Sequence, residues 1–428
     1  MKKIAIILAL AFYCVAAMAQ DNTECAKQYS MYKEYMYVDS YDLATAAYRE
    51  VFQNCPKFTK GIYADGIKIY KALMYKTSNP DVINAYVDTM KIIYSQKVKY
   101  YGEEWDAMAR CGLDVMKYRK SDTVYAEAYH IFQKSLAARP DMPELSALNA
   151  FYPISVNFAA RGVISVDDFF NDIVPSLRAV CGNIQSGADD KYKSQAESII
   201  ANLKGNWPKV RRFQPAMDSL FDLRCKLPDS IADIQVLINV MDILQADGCS
   251  LYARAAEKMY VANPTAGAAA SIARYARKHS EWEKASKYYS EAAGQESDPA
   301  LQSDYYYEWA CVANSQSNYA EAVRLAKKSA SSNPQNGAPL LLVSAIYMVS
   351  GNAAGDDDFS RRQVYWVAAD YAAKAKKADP KLEEEANKLI AKCKAQFPKQ
   401  EDAFMHSVKP GDSVTVKIFG SEATTARF

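Results

Sequence analysis

A chain of 428 residues, half of it hydrophobic and 24% charged, is long enough for two or three globular domains or one extended array, and is neither disordered nor collagenous. Lysine and arginine number 52 against 50 acidic residues, and a leader that takes Lys2 and Lys3 with it leaves 50 against 50. Such a balance excludes nucleic acid as the main partner, because phosphate recognition needs a basic stripe. Only 16 Gly and 16 Pro against 31 Tyr favour helix over a turn-rich β fold.

In chain order, Lys2 and Lys3 precede an apolar run from Ile4 to Val15, and Ala17-Met18-Ala19 supplies the small residues a signal peptidase reads. Residues 1–19 therefore read as a signal peptide, and the mature product as exported, to the periplasm, to the outer membrane's surroundings or out of the cell. Tyr13 stands before Cys14, where a lipoprotein needs a small residue. No later apolar run reaches the ~20 residues of a membrane helix, so no transmembrane segment is expected in the mature chain. Residues 20–140 read as N-terminal helical hairpins: Met31, Tyr32, Tyr41, Ala44, Tyr48 and Pro56 mark the first, and helices follow near 82–94, 103–118 and 124–138. Pro140, Pro143, Pro153 and Gly162 place a soft boundary in 140–166, as a linker, a distorted turn or a long connection. The degenerate repeat region 141–265 carries helices near 167–184, 190–204, 213–226, 230–246 and 250–262.

Residues 266–398 repeat most clearly. Tyr306, Trp309, Ala310 and Ala313, then Asn318, Tyr319, Ala322, Leu325, Ala326 and Pro334, predict helices near 300–315 and 318–331, with Ala310 and Ala322 small where the two helices meet. Ile272, Ala273, Ala276, Trp282, Ala285 and Tyr289 repeat the phrase before it. Leu340 to Tyr347 and Tyr365 to Pro380 repeat it afterwards, interrupted by an insertion at 352–363. Residues 399–428 form a short β tail, in which alternating Ser413 to Ile418 and a returning 423–427 make a hairpin that must pack on the last helices or on a partner's edge.

These phrases resemble the tetratricopeptide repeat (TPR) family over 24–56 and 266–380. Together with Cys25, Asn54-Cys55-Pro56, Val364-Tyr365-Trp366 and Asp402-Ala403-Phe404, they resemble exported TPR proteins of Bacteroidota-type bacteria. The resemblance implies an all-α, TPR-like helical-hairpin solenoid with a short C-terminal β-hairpin tail, and no assigned reaction.

Nine cysteines become eight once Cys14 leaves with the leader. Cys25 opens and Cys55 closes the first antiparallel hairpin, which makes them a disulfide candidate. Cys181 and Cys225, near the ends of helices two apart, are a second candidate. Cys111, Cys249, Cys311 and Cys393 read as buried thiols. His130, His279 and His406 lack partners at metal-ligand spacing, and no nucleophile, phosphate or dinucleotide motif occurs, so no catalytic, cofactor or metal residue is assigned. Asp167-Asp168, Asp189-Asp190 and Asp356-Asp357-Asp358 read as helix caps. On the concave face that first helices line in such arrays, Tyr29, Lys33, Met36 and Tyr37, with Arg274, Arg277 and Lys278, form a candidate peptide or glycan groove, the competing description being an ordinary solvated face. The chain thus reads as a non-enzymatic exported scaffold that binds envelope proteins, its oligomeric state open. The alternative is a glycan-binding protein of the outer-membrane sugar-uptake type, favoured by 31 Tyr and five Trp.

Overall fold

The computed structural model describes residues 22–428, and the expected signal peptide at 1–19 lies outside them. The chain parts into two compact units between Met217 and Asp218. The first holds α1 (22–37), α2 (Tyr41–Asn54), α3 (Gly61–Tyr75), α4 (Pro80–Tyr101), α5 (Glu104–Tyr118), α6 (Val124–Ala138), α7 (Leu145–Arg161), α8 (Val166–Gln185) and α9 (Asp190–Asn206), followed by a 3-10 run over Trp207–Phe213. Helix α10 (Gln214–Arg224) straddles the boundary. The second unit holds α11 (Ile231–Ile243), α12 (Ser250–Ala262), α13 (Ala266–Lys278), α14 (Trp282–Gln295), α15 (Pro299–Ser315), α16 (Tyr319–Ser332), α17 (Ala338–Val349), α18 (Asp358–Ala378), α19 (Glu383–Lys394) and α20 (Gln400–Met405), then strands β1 (Ser413–Lys417) and β2 (Ser421–Thr425). It is an all-α array of antiparallel helical hairpins ending in a two-stranded antiparallel sheet.

The hairpins that α1, α13 and α15 open are closed by one turn, and α11 ends on the same turn at Gln245 (φ 54°), with Ala246 N reaching Met241 O at 2.7 Å. Helices α1, α13 and α15 each end on a residue in the left-handed region, Asp39 (φ 55°), Ser280 (φ 59°) and Ser317 (φ 58°). The next amide reaches back to a carbonyl one turn earlier: Ser40 to Tyr35 at 2.8 Å, Glu281 to Ala276 at 2.8 Å and Asn318 to Ala313 at 2.9 Å. Such closure satisfies carbonyls that a helix end otherwise leaves orphaned. The second helix then begins at once with an aromatic residue, Tyr41, Trp282 or Tyr319, and Asn318 also caps α16 by accepting from Glu321 N.

Where paired helices cross, one side must be small. Gly66 of α3 faces Tyr48 of α2 so closely that a Cβ would stand 2.0 Å from the phenol oxygen, and Gly112 of α5 would meet Phe132 of α6 at 2.5 Å. Ala310 and Ala322 do the same between α15 and α16, both fully buried in one core cluster.

Three expectations are corrected. The stretch expected as a boundary at 140–166 is mostly the helix α7, which carries Pro153 internally and buries Phe151, Tyr152 and Phe158. The 352–363 insertion is shorter than expected: a 3-10 turn at Gly351–Ala353 and a bend precede α18, which starts at Asp358 with Asp357 capping it through Ser360 N. The returning strand starts at Ser421, two residues before the expected 423, with Ser413 opposite Thr425 and Lys417 opposite Ser421.

A lone hairpin is marginal in water. This one lies on α16–α18: Val416 and Ile418 are 1% exposed, and Glu422 accepts from Lys327, from Tyr347 Oη at 2.7 Å and from Tyr371 Oη at 3.0 Å. Arg427 pairs with Asp370 at 2.8 Å.

The left-handed turn gives a direct test. Ser280→Gly and Ser317→Gly remove the Cβ strain of that conformation and each should raise the stability of the second unit by about 1 kcal/mol, the gain in backbone fit exceeding the added freedom of the unfolded chain. Thermal unfolding of each variant checks it, and Ser271→Gly, within α13, should move the melting temperature the opposite way.

Candidate functional site

In the first unit, α3 and α5 run side by side in constant register. Lys60 pairs with Glu103 at 2.7 Å, Lys71 with Asp114 at 2.6 Å, and the Tyr75 and Tyr118 rings meet at 6.4 Å, each pair 43 residues apart. Lys60 and Lys71 are separated by about 16 Å of helix. Between these two ion pairs lies a groove of ≈ 800 Å³. Buried Tyr63, Ile67 and Tyr94 line its apolar floor, while Lys68 and Arg110 stand exposed on its rims. From α4, Tyr94 Oη donates to Asp114 at 2.7 Å, and Lys97 pairs with Asp106 at 3.0 Å.

The electrostatics follow from burial and pairing. Burial pushes the Asp106 carboxyl up, but the bonds from Arg110 and Lys97 outweigh it and leave it below the usual range. The bond from Lys60 likewise holds Glu103 low. Lys68 makes no ion pair among the described residues, so the lining carries five cations against three carboxylates, with the surplus on the open side.

The residues expected on a binding face divide. Tyr29 packs against Tyr32 and Phe58 at 5.2 and 5.3 Å, Met36 is in the core, and Lys33 pairs with Asp65 at 3.1 Å. Tyr37 is 91% exposed at the end of α1.

In the second unit, Arg274 of α13 bridges Asp242 of α11 and Glu308 of α15, both at 3.0 Å. These three stand 32 and 34 residues apart, one per first helix. Lys278 and Arg277 approach Asp247 at 3.1 and 3.7 Å. Burial pushes the Asp242 and Asp247 carboxyl groups up, and the facing cations pull them back only in part. The cluster ties successive helices together, and its charges are used in doing so.

Cys25 and Cys55 form a disulfide with Cα atoms 6.0 Å apart, joining the start of α1 to the end of α2. A loop of this length is stabilised by about 3 kcal/mol on the chain-entropy account. The second pairing is not formed. Cys181 is a buried thiol in α8, and Cys225 is a thiol beyond the end of α10 in the other unit, because the 3-10 run Trp207–Phe213 interrupts the simple alternation that pairing needs. Burial pushes Cys111 and Cys249 up to about 12 and Cys181 and Cys393 up to about 11, so these thiols are poor nucleophiles. Cys311, expected buried, is only partly so.

His130 contacts Gln133, His279 lies tilted against Tyr275 at 4.3 Å, and His406 stacks on Phe359 at 4.3 Å. Among the described residues no group of three or more His, Cys, Asp or Glu is arranged to hold a metal ion, and no helix is long and apolar enough to cross a membrane. Asp189 caps α9 by accepting from Tyr192 N, whereas α8 is capped by Ser165, with Asp168 inside the helix accepting in return from Ser165 N.

Sequence reasoning missed Lys68, Lys71, Arg110 and Asp114 as groove residues. The signal was present as opposite charges and two tyrosines at a shared offset of 43, a spacing that a search at the 34-residue period passes over.

No protein-family model matches the chain, and no curated protein matches it. Among solved structures, the APC/C hetero-tetramer Cut9-Hcn1 aligns at 11% identity over 86% of this chain and 76% of that chain, with a TM-score of 0.32. Yeast Tom70 aligns at 12% identity over 90% and 98%, with a TM-score of 0.30, and the P58(IPK) TPR domain at 11% over 87% and 98%, with a TM-score of 0.24. The architecture described above rests on this chain's own helices.

The ionic cluster makes a structural prediction. Arg274→Ala leaves two half-buried carboxylates facing each other without a counter-charge and should destabilise the second unit by about 3 kcal/mol. Lys68→Ala, at an exposed and unpaired position, should fall within about 0.5 kcal/mol of the parent. Urea unfolding of the two variants decides between them.

Proposed function

We propose that this protein is a non-enzymatic, exported scaffold of the bacterial cell envelope, and that the groove between α3 and α5 receives a segment of a partner protein. The observation that carries the reading is the groove itself: an apolar floor of Tyr63, Ile67 and Tyr94 between rims held at fixed spacing by the Lys60–Glu103 and Lys71–Asp114 pairs. Apolar floors with a few placed charges suit an extended peptide, the floor giving affinity and the rims register. The surplus of positive charge in the lining, with Lys68 exposed and unpaired, favours a segment bearing carboxylates. Export is supported by the leader pattern at 1–19 and by the Cys25–Cys55 disulfide, a bond that persists in oxidising compartments. A second reading, stacking of sugar rings, is favoured by the exposed Tyr37 and Tyr75, 91% and 75% accessible.

The test is capture from crosslinked cell envelopes with the tagged mature protein and its Lys68→Glu, Arg110→Glu double variant. One envelope protein recovered in stoichiometric amount by the parent, and reduced at least about tenfold by the variant, is the expected result, since two like-charge contacts cost more than the 1.4 kcal/mol of a tenfold change. Equal recovery by both proteins would remove the groove from the account. Recovery of oligosaccharide alone would favour the second reading.

A further inference from the structure

A second cavity of the first unit, ≈ 300 Å³, opens between α6, α7 and α8. Its walls include Leu136, Phe151 and three prolines, Pro140, Pro143 and Pro175, and the one charged residue of its lining is Asp172. Phe151 and Pro143 are buried, whereas Ala137, Pro140, Asn171 and Pro175 are exposed at the mouth.

Asp172 is held by three neutral donors. Tyr129 Oη and Ser155 Oγ donate to one carboxylate oxygen at 2.7 and 2.8 Å, and Gln133 Nε2 donates to the other at 3.1 Å. A carboxylate offers about four acceptor positions, so these bonds orient the group without saturating it. No lysine or arginine pairs with it among the described residues. Arg139, at the end of α6, lies instead over the Trp105 ring at 4.8 Å. Burial pushes the Asp172 carboxyl up despite its three bonds, the behaviour of a carboxylate that lacks a counter-charge. Tyr129 stacks on Phe151 at 5.3 Å, so aromatic faces adjoin the same carboxylate.

An oriented, partly buried carboxylate without a cation, in the lining of a largely apolar cavity at the small end of ligand-site volumes, calls for a compact positive charge on an apolar stem. A metal ion would need further oxygen or nitrogen ligands, and the cavity lining supplies no second charged one. We propose that this pocket binds an alkylammonium group, its nitrogen donating to Asp172 and its methylene chain lying against Phe151 and the three prolines. Two sources present that chemistry: a free aliphatic amine and the lysine side chain of a peptide.

The experiment is isothermal titration of the full mature protein at low salt with pentylamine, with pentanol and with the blocked tripeptide acetyl-Gly-Lys-Gly-amide, repeated on Asp172→Asn. That variant keeps an acceptor for Tyr129 and Ser155 and nearly the same volume. Pentylamine should bind at least about tenfold more tightly than pentanol, the weight of one charge-assisted hydrogen bond, and the variant should lose about that factor for the amine alone. Tighter binding of the tripeptide than of pentylamine assigns the site to a partner's lysine, and the reverse assigns it to a small amine. Pentanol binding as well as pentylamine, amine binding undiminished in Asp172→Asn, or no binding of either amine by the parent overturns the proposal. Should the variant fail to fold, the amine-to-alcohol ratio in the parent decides the matter by itself.

Discussion

The array depends on how a helix is made to stop and turn back within three residues. At Asp39, Ser280 and Ser317 a left-handed residue lets the following amide reach a carbonyl of the preceding turn, and the next helix starts immediately with an aromatic ring. A link that short leaves the two helices antiparallel and in contact, which requires a small residue at the crossing. Ala310 and Ala322, both fully buried in the core of α15 and α16, meet that requirement, and Gly66 against Tyr48 meets it between α2 and α3, which a longer link joins. Strain at the turn is accepted because the packing it permits is larger: full burial of residues such as Tyr48, Tyr289 and Leu325 follows from the close approach.

Once the pairs are antiparallel, every second helix runs parallel to the next, and side chains recur at fixed offsets between them. The two units use this differently. In the second, Asp242, Arg274 and Glu308 occupy corresponding positions on three such helices and neutralise one another, closing the face with a half-buried ionic cluster. In the first, the ion pairs at offset 43 flank an apolar strip between α3 and α5. The same chemistry therefore yields a seam in one unit and a groove in the other.

Much of the fold was legible because it is written in local signals. The Asn318-Tyr319 junction, Trp282 at the start of its helix, the alanines at the crossings and the alternation of 413–418 each act through near neighbours. Cys25 and Cys55 were legible because they bracket one hairpin. Less visible was α7, since Pro153 reads as a breaker in sequence, yet the helix is retained by burying Phe151, Tyr152 and Phe158. The 352–363 insertion was overestimated because Asp358 to Gln363 carries no apolar pattern of its own and becomes helical as an extension of α18. Arg274, Arg277 and Lys278 were placed on the right helix, but their acidic partners lie one repeat away, and a single helix cannot reveal that its charges are already used. The Asp172 pocket had no sequence signal at all, because three separate helices supply its donors and walls.

The claim at the centre of this account is that partner binding occurs in the groove between α3 and α5. Site-specific photo-crosslinking in intact cells tests it most directly, with a photoreactive residue placed at Lys68 on the groove rim or at the exposed Ile92 of α4, away from the groove lining. The account predicts a discrete adduct to another envelope protein from position 68 and none from position 92. Adducts from position 92 alone, or equally from both, would contradict it.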